Sequence, residues 1–268
     1  MFCGSSGRFQ LALLFCGLLC LETAPAARAL DNQTAASAHP VVIELFTSEG
    51  CSSCPPADVI LEKLDSFQPI AGAQLIVLSE HVTYWDQLGW KDPNSAQMFT
   101  DRQNAYESQL GLKEPYTPQM IVDGTDVVNI DAIAKLEGVL NKAKDEPKVG
   151  VRLGAVQIDP SNPAVLRAHV EADVNSAKHN AEVYLAVALD RVESQVLRGE
   201  NGGKHLVHVA VAQQLTRVGK LPKGKNFAQD VELKLKPGED PKNLRVIAFV
   251  QESGPGKLLG AALWKSGQ

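Results

Sequence analysis

Two cysteines separated by Ser52-Ser53 are the residues in this chain best suited to chemistry. Cys51 and Cys54 follow a short apolar run, at a point where a strand is expected to lead into a helix. The free N–H groups and the dipole of a helix N-terminus stabilise a thiolate. Cys51 is therefore the expected nucleophile of a thiol–disulfide exchange. Cys54 is the expected resolving thiol, which attacks the mixed disulfide.

An inert structural disulfide is the alternative for the same pair. A disulfide that closes so short a loop removes little entropy from the unfolded chain, which argues for chemistry rather than stabilisation. Two rival functions stay open. One is a copper-binding redox chaperone that uses both thiolates with His81, because soft sulfur ligands suit Cu(I). The other is a binding module without catalysis.

Two further side chains, Glu44 and His81, qualify as candidates because of their positions. Glu44 lies in an otherwise apolar strand, where a buried carboxyl could accept a proton from Cys54; a strand-end glutamate facing water is the alternative. His81 follows the second predicted strand, where an imidazolium could stabilise the thiolate; a loop histidine bonded to a backbone carbonyl is the alternative. His205 and His208 fall on opposite faces of a later strand and are expected to be surface or core residues.

The elements around the cysteines follow from apolar patterning and turn signals. A helix should begin near Cys51, because Pro55 and Pro56 are tolerated in a first turn, whose N–H groups have no helical partner. Asp58 suits the positive end of that helix. The other predicted elements are strands over Val41–Thr47 and Gln74–Ser79, a helix over Ser95–Leu110, a hairpin turning at Asp123-Gly124 and a helix over Ile130–Ala143.

After Pro147 the pattern changes to alternating apolar and polar residues. Such alternation over short segments, with turn signals between them, is typical of a β-sandwich. About seven strands are predicted, over Val149–Ile158, Leu166–Ala172, Val183–Leu189, Leu206–Ala212, Val231–Leu235, Leu244–Val250 and Leu258–Trp264.

The order strand, helix, strand, helix, hairpin, helix resembles the thioredoxin superfamily. The chain is more specifically similar to an exported bacterial family, domain of unknown function 1223. The stretches that carry this likeness are Glu44–Asp58 with its Cys-Ser-Ser-Cys-Pro-Pro, His81–Pro93, Tyr116–Met120, Val196–Asn201 and Ala248–Gln251. The resemblance implies an α/β thioredoxin-like domain (βαβαββα, with an enlarged loop after the second strand) over residues 40–146. An all-β sandwich-like domain would follow over residues 147–268.

The resemblance also implies a cis proline at Pro118, after Thr117, whose backbone would pair with a substrate peptide beside the nucleophile. The cis form costs little at a bond before proline, and an ordinary trans proline is the alternative. The aromatic residues of the long segment could line a groove for that peptide, or could instead form a small core under the loop. The expected substrate contacts are Thr117, His81, Tyr84, Trp85 and Trp90.

The N-terminus has the pattern of a cleavable signal peptide over residues 1–29. An apolar run from Leu11 to Leu21 precedes Ala27-Arg28-Ala29, which fits a cleavage site. A flexible leader over residues 30–39 would follow, and an uncleaved anchor is the alternative. The expected location is therefore the periplasm or the exterior, with no membrane span after cleavage. Cleavage would remove Cys3, Cys16 and Cys20.

Composition restricts the partners. The net charge is −5 and no basic run occurs, so nucleic acid is not an expected partner. No glycine-rich phosphate loop appears, so no organic cofactor is expected. The redox group would be the Cys51–Cys54 disulfide itself. A structural zinc site would need four ligands, and no second Cys-x-x-Cys exists. The expected partner is a protein or peptide thiol or disulfide, and a membrane redox protein is a further candidate.

Overall fold

A parallel pair of strands forms the frame on which the cysteines are placed. The computed structural model describes residues 1, 2, 4, 38–129, 134–159, 161–176 and 179–267. Strands β1 (His39–Thr47) and β2 (Ala73–His81) pair so that Thr47 lies opposite His81 at their carboxyl ends. Most of the predicted signal peptide and leader lies outside the described residues, as does the start of the helix predicted from Ile130.

Helix α1 (Pro55–Phe67) connects these two strands and begins four residues after Cys51, near which the sequence predicts its start. Cys54 is the N-cap residue, and both prolines lie in the first turn, where their missing N–H groups cost nothing. The helix ends at Gln68, which has a left-handed backbone and donates its N–H to the Leu64 carbonyl. The amino end of α1 therefore lies directly at the cysteine motif.

The next elements follow in the predicted order. Helix α2 (Gln97–Leu110) precedes strands β3 (Gln119–Val122) and β4 (Asp126–Val128), and helix α3 (Leu136–Asp145) follows them. The turn between β3 and β4 contains Asp123 and Gly124 at φ values of 45° and 72°, a left-handed conformation that Asp and Gly tolerate.

The remaining described elements are almost all strands, as the alternating pattern predicts. A short 3₁₀ helix, Pro241–Asn243, precedes the tenth strand. The strands are β5 (Val151–Asp159), β6 (Asn162–Ala172), β7 (Ala181–Gln195), β8 (His205–Leu221), β9 (Phe227–Lys234), β10 (Leu244–Glu252) and β11 (Leu258–Lys265).

The pairing of these strands contradicts the predicted fold class. The chain is mostly β, and strands from both halves join one mixed sheet of eight strands in the order β11-β10-β7-β8-β2-β1-β3-β4. The join is a parallel contact between β2 and β8, with Ser79 opposite Val211. The prediction of a βαβαββα thioredoxin fold followed by a separate sandwich is therefore wrong. Periodicity identifies strands one at a time but carries no information about which distant strands pair.

The large sheet is covered on both faces. On one face, α1 and α3 pack on β1, β2 and β3, and a second sheet, ordered β5-β6-β9, packs beside them on β7 and β10. Helix α2 packs on the opposite face, where Phe99 contacts a cluster that includes Val42, Leu78 and Phe249. The described residues from 38 onward form one compact unit. Within the described part of the chain, no helix has the length and apolar character needed to cross a membrane.

Candidate functional site

Cys51 and Cys54 form a disulfide at the amino end of α1, with their Cα atoms 5.4 Å apart. The Cys54 carbonyl accepts hydrogen bonds from the N–H groups of Ala57 and Asp58, which begin the helix. Both cysteines are fully buried, at 0% exposure, whereas Ser52 and Ser53 between them are exposed. The pair therefore has the expected helix-terminal position, but its sulfur atoms lie beneath other parts of the chain.

The loop between β7 and β8, residues 196–204, covers the disulfide from one side. Asn201 is fully buried, and its Nδ2 donates to the carbonyl oxygens of Glu49 at 2.9 Å and Cys51 at 2.8 Å. The exposed Glu200 accepts a hydrogen bond from the Ser52 N–H at 3.2 Å. Sequence reasoning gave neither Asn201 nor Glu200 a role, because a contact across about 150 residues leaves no local signal.

The segment between β2 and α2, residues 82–96, covers the motif from a second side and is called the Trp85 segment below. The Gly50 backbone packs against Trp85 so closely that a Cβ atom on residue 50 would lie 3.0 Å from the Trp85 Cβ. Gly199 of the 196–204 loop has φ 77°, and a Cβ atom there would lie 3.0 Å from the Trp90 Cβ. The two covering segments are thus packed tightly against the motif and against each other, and the positive φ of Gly199 further favours glycine at that position.

The predicted substrate-contacting aromatics are bonded within the protein. The Trp85 indole N–H donates to Thr117 Oγ1 at 2.8 Å, so the structure brings these two predicted residues together. The Thr117–Pro118 peptide bond is cis, as predicted; its role in binding stays a prediction. Tyr84 is 37% exposed and donates its hydroxyl hydrogen to Gln103 Oε1, while burial raises its pKa to about 12.

A buried ion pair joins the carboxyl end of β2 to the Trp85 segment. His81 Nδ1 is 2.7 Å from Asp92 Oδ2, and neither side chain is exposed to solvent. Burial alone lowers the pKa of His81, but the Asp92 charge and hydrogen bond outweigh it and raise that pKa. Burial alone raises the pKa of Asp92. The charge and hydrogen bond of His81, together with hydrogen bonds from the N–H groups of Glu49 and Asn94, outweigh burial and lower that pKa to about 2. His81 therefore lies under the motif rather than on a substrate surface.

A second buried histidine, His208 of β8, completes this cluster. Its ring meets His81 edge to face with the ring centres 4.8 Å apart. Its Nε2 is 3.8 Å from Glu49 Oε1, and its Nδ1 is 3.6 Å from Asp58 Oδ1, which also accepts a hydrogen bond from Thr47. Sequence reasoning grouped His208 with ordinary surface or core residues. The available signal was an imidazole within the apolar strand Leu206–Ala212.

Another member of the cluster is Glu49, whose Oε2 accepts the Trp90 indole N–H at 2.7 Å. This bond ties the third predicted aromatic to the loop that precedes the cysteines. Trp90 is partly buried, and its polar edge points at a carboxylate inside the protein. The geometry thus gives Trp90 a part in holding the covering segment in place.

Glu44 faces α2, on the side of the sheet opposite α1. Its carboxylate accepts hydrogen bonds from Arg102 Nε and the Tyr106 hydroxyl, each at 2.5 Å. Glu80 is also buried beside this group, and both burial and the Glu44 charge raise the Glu80 pKa well above its usual value. The structure thus places Glu44 away from Cys54, in a buried network of its own.

The described residues contain no group of three or more His, Cys, Asp or Glu side chains arranged to hold a metal ion. His81 and the cysteines, which the copper alternative combines, are therefore not assembled as such a site in the disulfide state. The copper alternative stays a prediction from the sequence.

Comparison with known proteins gives a fold relative. A crystal structure of protein AGR_C_4864 from Agrobacterium tumefaciens matches 85% of this chain and 95% of its own length, at 24% identity and a TM-score of 0.65. That likeness shows a shared fold. A domain of the outer membrane lipoprotein Omp28 from Porphyromonas gingivalis matches 44% of this chain and 88% of its own, at 13% identity and a TM-score of 0.29, too low to support an argument. No curated protein matches the chain.

The family comparison agrees with the resemblance carried by the Cys-Ser-Ser-Cys-Pro-Pro motif. The model of one family matches residues 42–251, which include the cysteine pair, both covering segments and the buried histidines. The chain belongs to the family described as "Protein of unknown function (DUF1223)".

Proposed function

We propose that Cys51 and Cys54 form a redox-active disulfide that exchanges with thiols of a protein or peptide partner. The observation that carries this proposal is the position of the disulfide at the amino end of α1, directly beside a buried cluster of ionisable side chains. Thiolates are stabilised at helix N-termini, and ionisable groups beside them can exchange the protons that disulfide chemistry consumes and releases.

A purely stabilising role accounts poorly for this disulfide. Chain-entropy arguments give a loop this short about 2 kcal/mol, compared with about 3 kcal/mol for a loop of 15 residues. The amino end of α1 is already held by Asn201, which bonds to the Glu49 and Cys51 carbonyls. A covalent bond adds little to a segment that is fixed in this way, whereas exchange chemistry needs the two sulfurs to be adjacent.

The reaction would begin with a partner thiolate that attacks Cys51 Sγ. The Cys51–Cys54 bond breaks, and its electron pair leaves on Cys54 Sγ while a mixed disulfide forms on Cys51. A second partner thiolate then releases the partner as a disulfide and leaves both cysteines reduced. The reverse sequence would oxidise a partner dithiol. Because the disulfide is buried, either direction requires the 196–204 loop or the Trp85 segment to move first.

The test is a glutathione redox titration in which free thiols are trapped and counted by mass. A reversible transition between about −270 and −120 mV would support exchange and indicate its direction. The Cys54→Ser variant should trap a mixed disulfide on Cys51, and Cys51→Ser, the matched control, should trap less. A pair locked in one state, with no mixed disulfide captured, would refute the proposal.

A further inference from the structure

We propose that the buried pair His81 and His208, acting through Asp58, supplies the proton that Cys54 takes up when the disulfide opens. This inference rests on the proposed function and assigns positioning and proton-transfer roles to three residues behind the reacting sulfurs. Its basis is a set of buried ring nitrogens to which the described residues make no hydrogen bond.

Three ring nitrogens in this cluster make no hydrogen bond to any residue that the structure describes. They are His81 Nε2 and both nitrogens of His208, whose side chains are 0% and 1% exposed. A buried polar group without a partner costs about 1–3 kcal/mol. Such a group in a native protein calls for a functional explanation, and these three lie within one cluster.

Helix geometry leads from this cluster to Cys54. The Asp58 N–H bonds to the Cys54 carbonyl at 3.2 Å, so Asp58 lies one turn further along α1 on the same face. Helical side chains tilt back toward the amino end, which directs the Asp58 carboxylate over the turn that contains Cys54. Asp58 Oδ1 is 3.6 Å from His208 Nδ1. His208 thus contacts the carboxylate on one side, and the helix geometry directs it toward the turn of Cys54 on the other.

The titratable groups that face the pair come from several elements. Glu49 approaches from the loop after β1, Asp58 from α1, and Asp92 from the segment that precedes α2. Asp92, Asp58 and Glu49 all act to raise the pKa of His81, in that order, against the effect of burial. Three carboxylates around two imidazoles allow a proton to be stored on the pair inside the protein.

The proposed step conserves protons and electrons. When the partner thiolate attacks Cys51 Sγ, the electron pair of the broken S–S bond moves to Cys54 Sγ. The imidazolium of the histidine pair transfers a proton to the Asp58 carboxylate, and Asp58 passes that proton to the new thiolate. Cys54 ends as a neutral thiol and the pair loses one proton. On reoxidation Cys54 returns the proton by the same route.

The experiment compares His208→Gln with His205→Gln, a matched control on the same strand whose side chain is 55% exposed. Reduction by dithiothreitol is followed across pH, with each rate divided by the concentration of the reductant's thiolate. We expect His208→Gln to slow reduction about a hundredfold at neutral pH, within the range for general acid catalysis. The wild-type rate should fall as the histidine pair loses its proton, and this fall should be absent in His208→Gln.

Equal rates and pH profiles for His208→Gln and the wild type would overturn the inference, as would an equal effect of His205→Gln. If His208→Gln does not fold, ¹⁵N spectra of the wild-type histidine rings decide the question. A change in the protonation or tautomer of His208 on reduction supports the inference, and unchanged ring shifts refute it.

If the glutathione titration shows no reversible reduction, the proposed function fails. If reduction is reversible and the His208→Gln variant behaves as wild type in every assay, only this inference fails.

Discussion

Replacing Asn201 by alanine should expose the disulfide without unfolding the protein. The fully buried Asn201 side chain donates two hydrogen bonds, to the Glu49 and Cys51 carbonyls, and accepts one from Lys204 Nζ at 2.8 Å. These bonds attach the 196–204 loop to the chain on the amino side of the cysteines. Alanine removes all of them, while the Glu200–Ser52 hydrogen bond and the packing of Gly199 on Trp90 remain, so opening of the loop becomes easier.

The expected increase in the reduction rate follows from the loss of the two hydrogen bonds that Asn201 donates to backbone carbonyls. A typical intramolecular hydrogen bond contributes about 1 kcal/mol net, so opening of the loop becomes easier by about 2 kcal/mol. Each 1.4 kcal/mol is a factor of ten, which makes the open state about 30 times more populated. Where the loop opens and closes faster than the sulfur reacts, the reduction rate follows this population. Asn201→Ala should therefore be reduced about 30-fold faster than the wild type.

The assay is reduction by a trialkyl phosphine under native conditions, with free thiols alkylated at intervals and counted by mass. Asn243→Ala is the control, because Asn243 also bonds twice to backbone, to the Arg191 carbonyl at 2.8 Å and the Arg191 N–H at 3.0 Å. Asn243 holds a different turn and should leave the rate unchanged. Urea unfolding of each variant separates loop opening from global unfolding.

One result would refute this reasoning. If Asn201→Ala folds with wild-type stability and its disulfide is reduced no faster, the 196–204 loop does not limit access to the sulfurs. The Trp85 segment would then be the part of the cover that must move.

Two further predictions concern buried charges. Arg245 has a side chain only 1% exposed and bonds to Asp65 on α1 and Asp190 on β7. Arg245→Met leaves the largely buried Asp65 with only Lys265 as a cationic partner and should cost about 1.5–3 kcal/mol. Urea unfolding followed by circular dichroism should show one shifted transition, and two separate transitions would contradict a shared sheet. Burial and Glu44 raise the pKa of Glu80, so the stability that Glu80 contributes is present below about pH 4.5 and is lost as the pH rises. Glu80→Gln should therefore gain stability relative to the wild type between pH 5 and pH 8, and a difference independent of pH would rule this out.

Local features of the site could be predicted from the sequence because each depends on neighbouring residues. The helix start after Cys54 follows from two prolines, and the turn at Asp123-Gly124 follows from residues that tolerate positive φ. The face on which Glu44 lies could not be predicted, because the strand is apolar on both faces and either helix could have covered it. Its partners, Arg102 and Tyr106, lie about 60 residues away, beyond the range of any periodicity.

The joined sheet has a direct consequence for the site. The pairing of β2 with β8 brings His208 beside His81, and the loop between β7 and β8 brings Asn201 over Cys51. Both contributions come from the second half of the chain, which the sequence assigned to a separate domain. The first half alone would present a Cys-x-x-Cys motif covered only by the Trp85 segment and with half of its histidine pair. The buried state of the disulfide and the proposed proton store are therefore properties of the eight-stranded sheet, not of the motif.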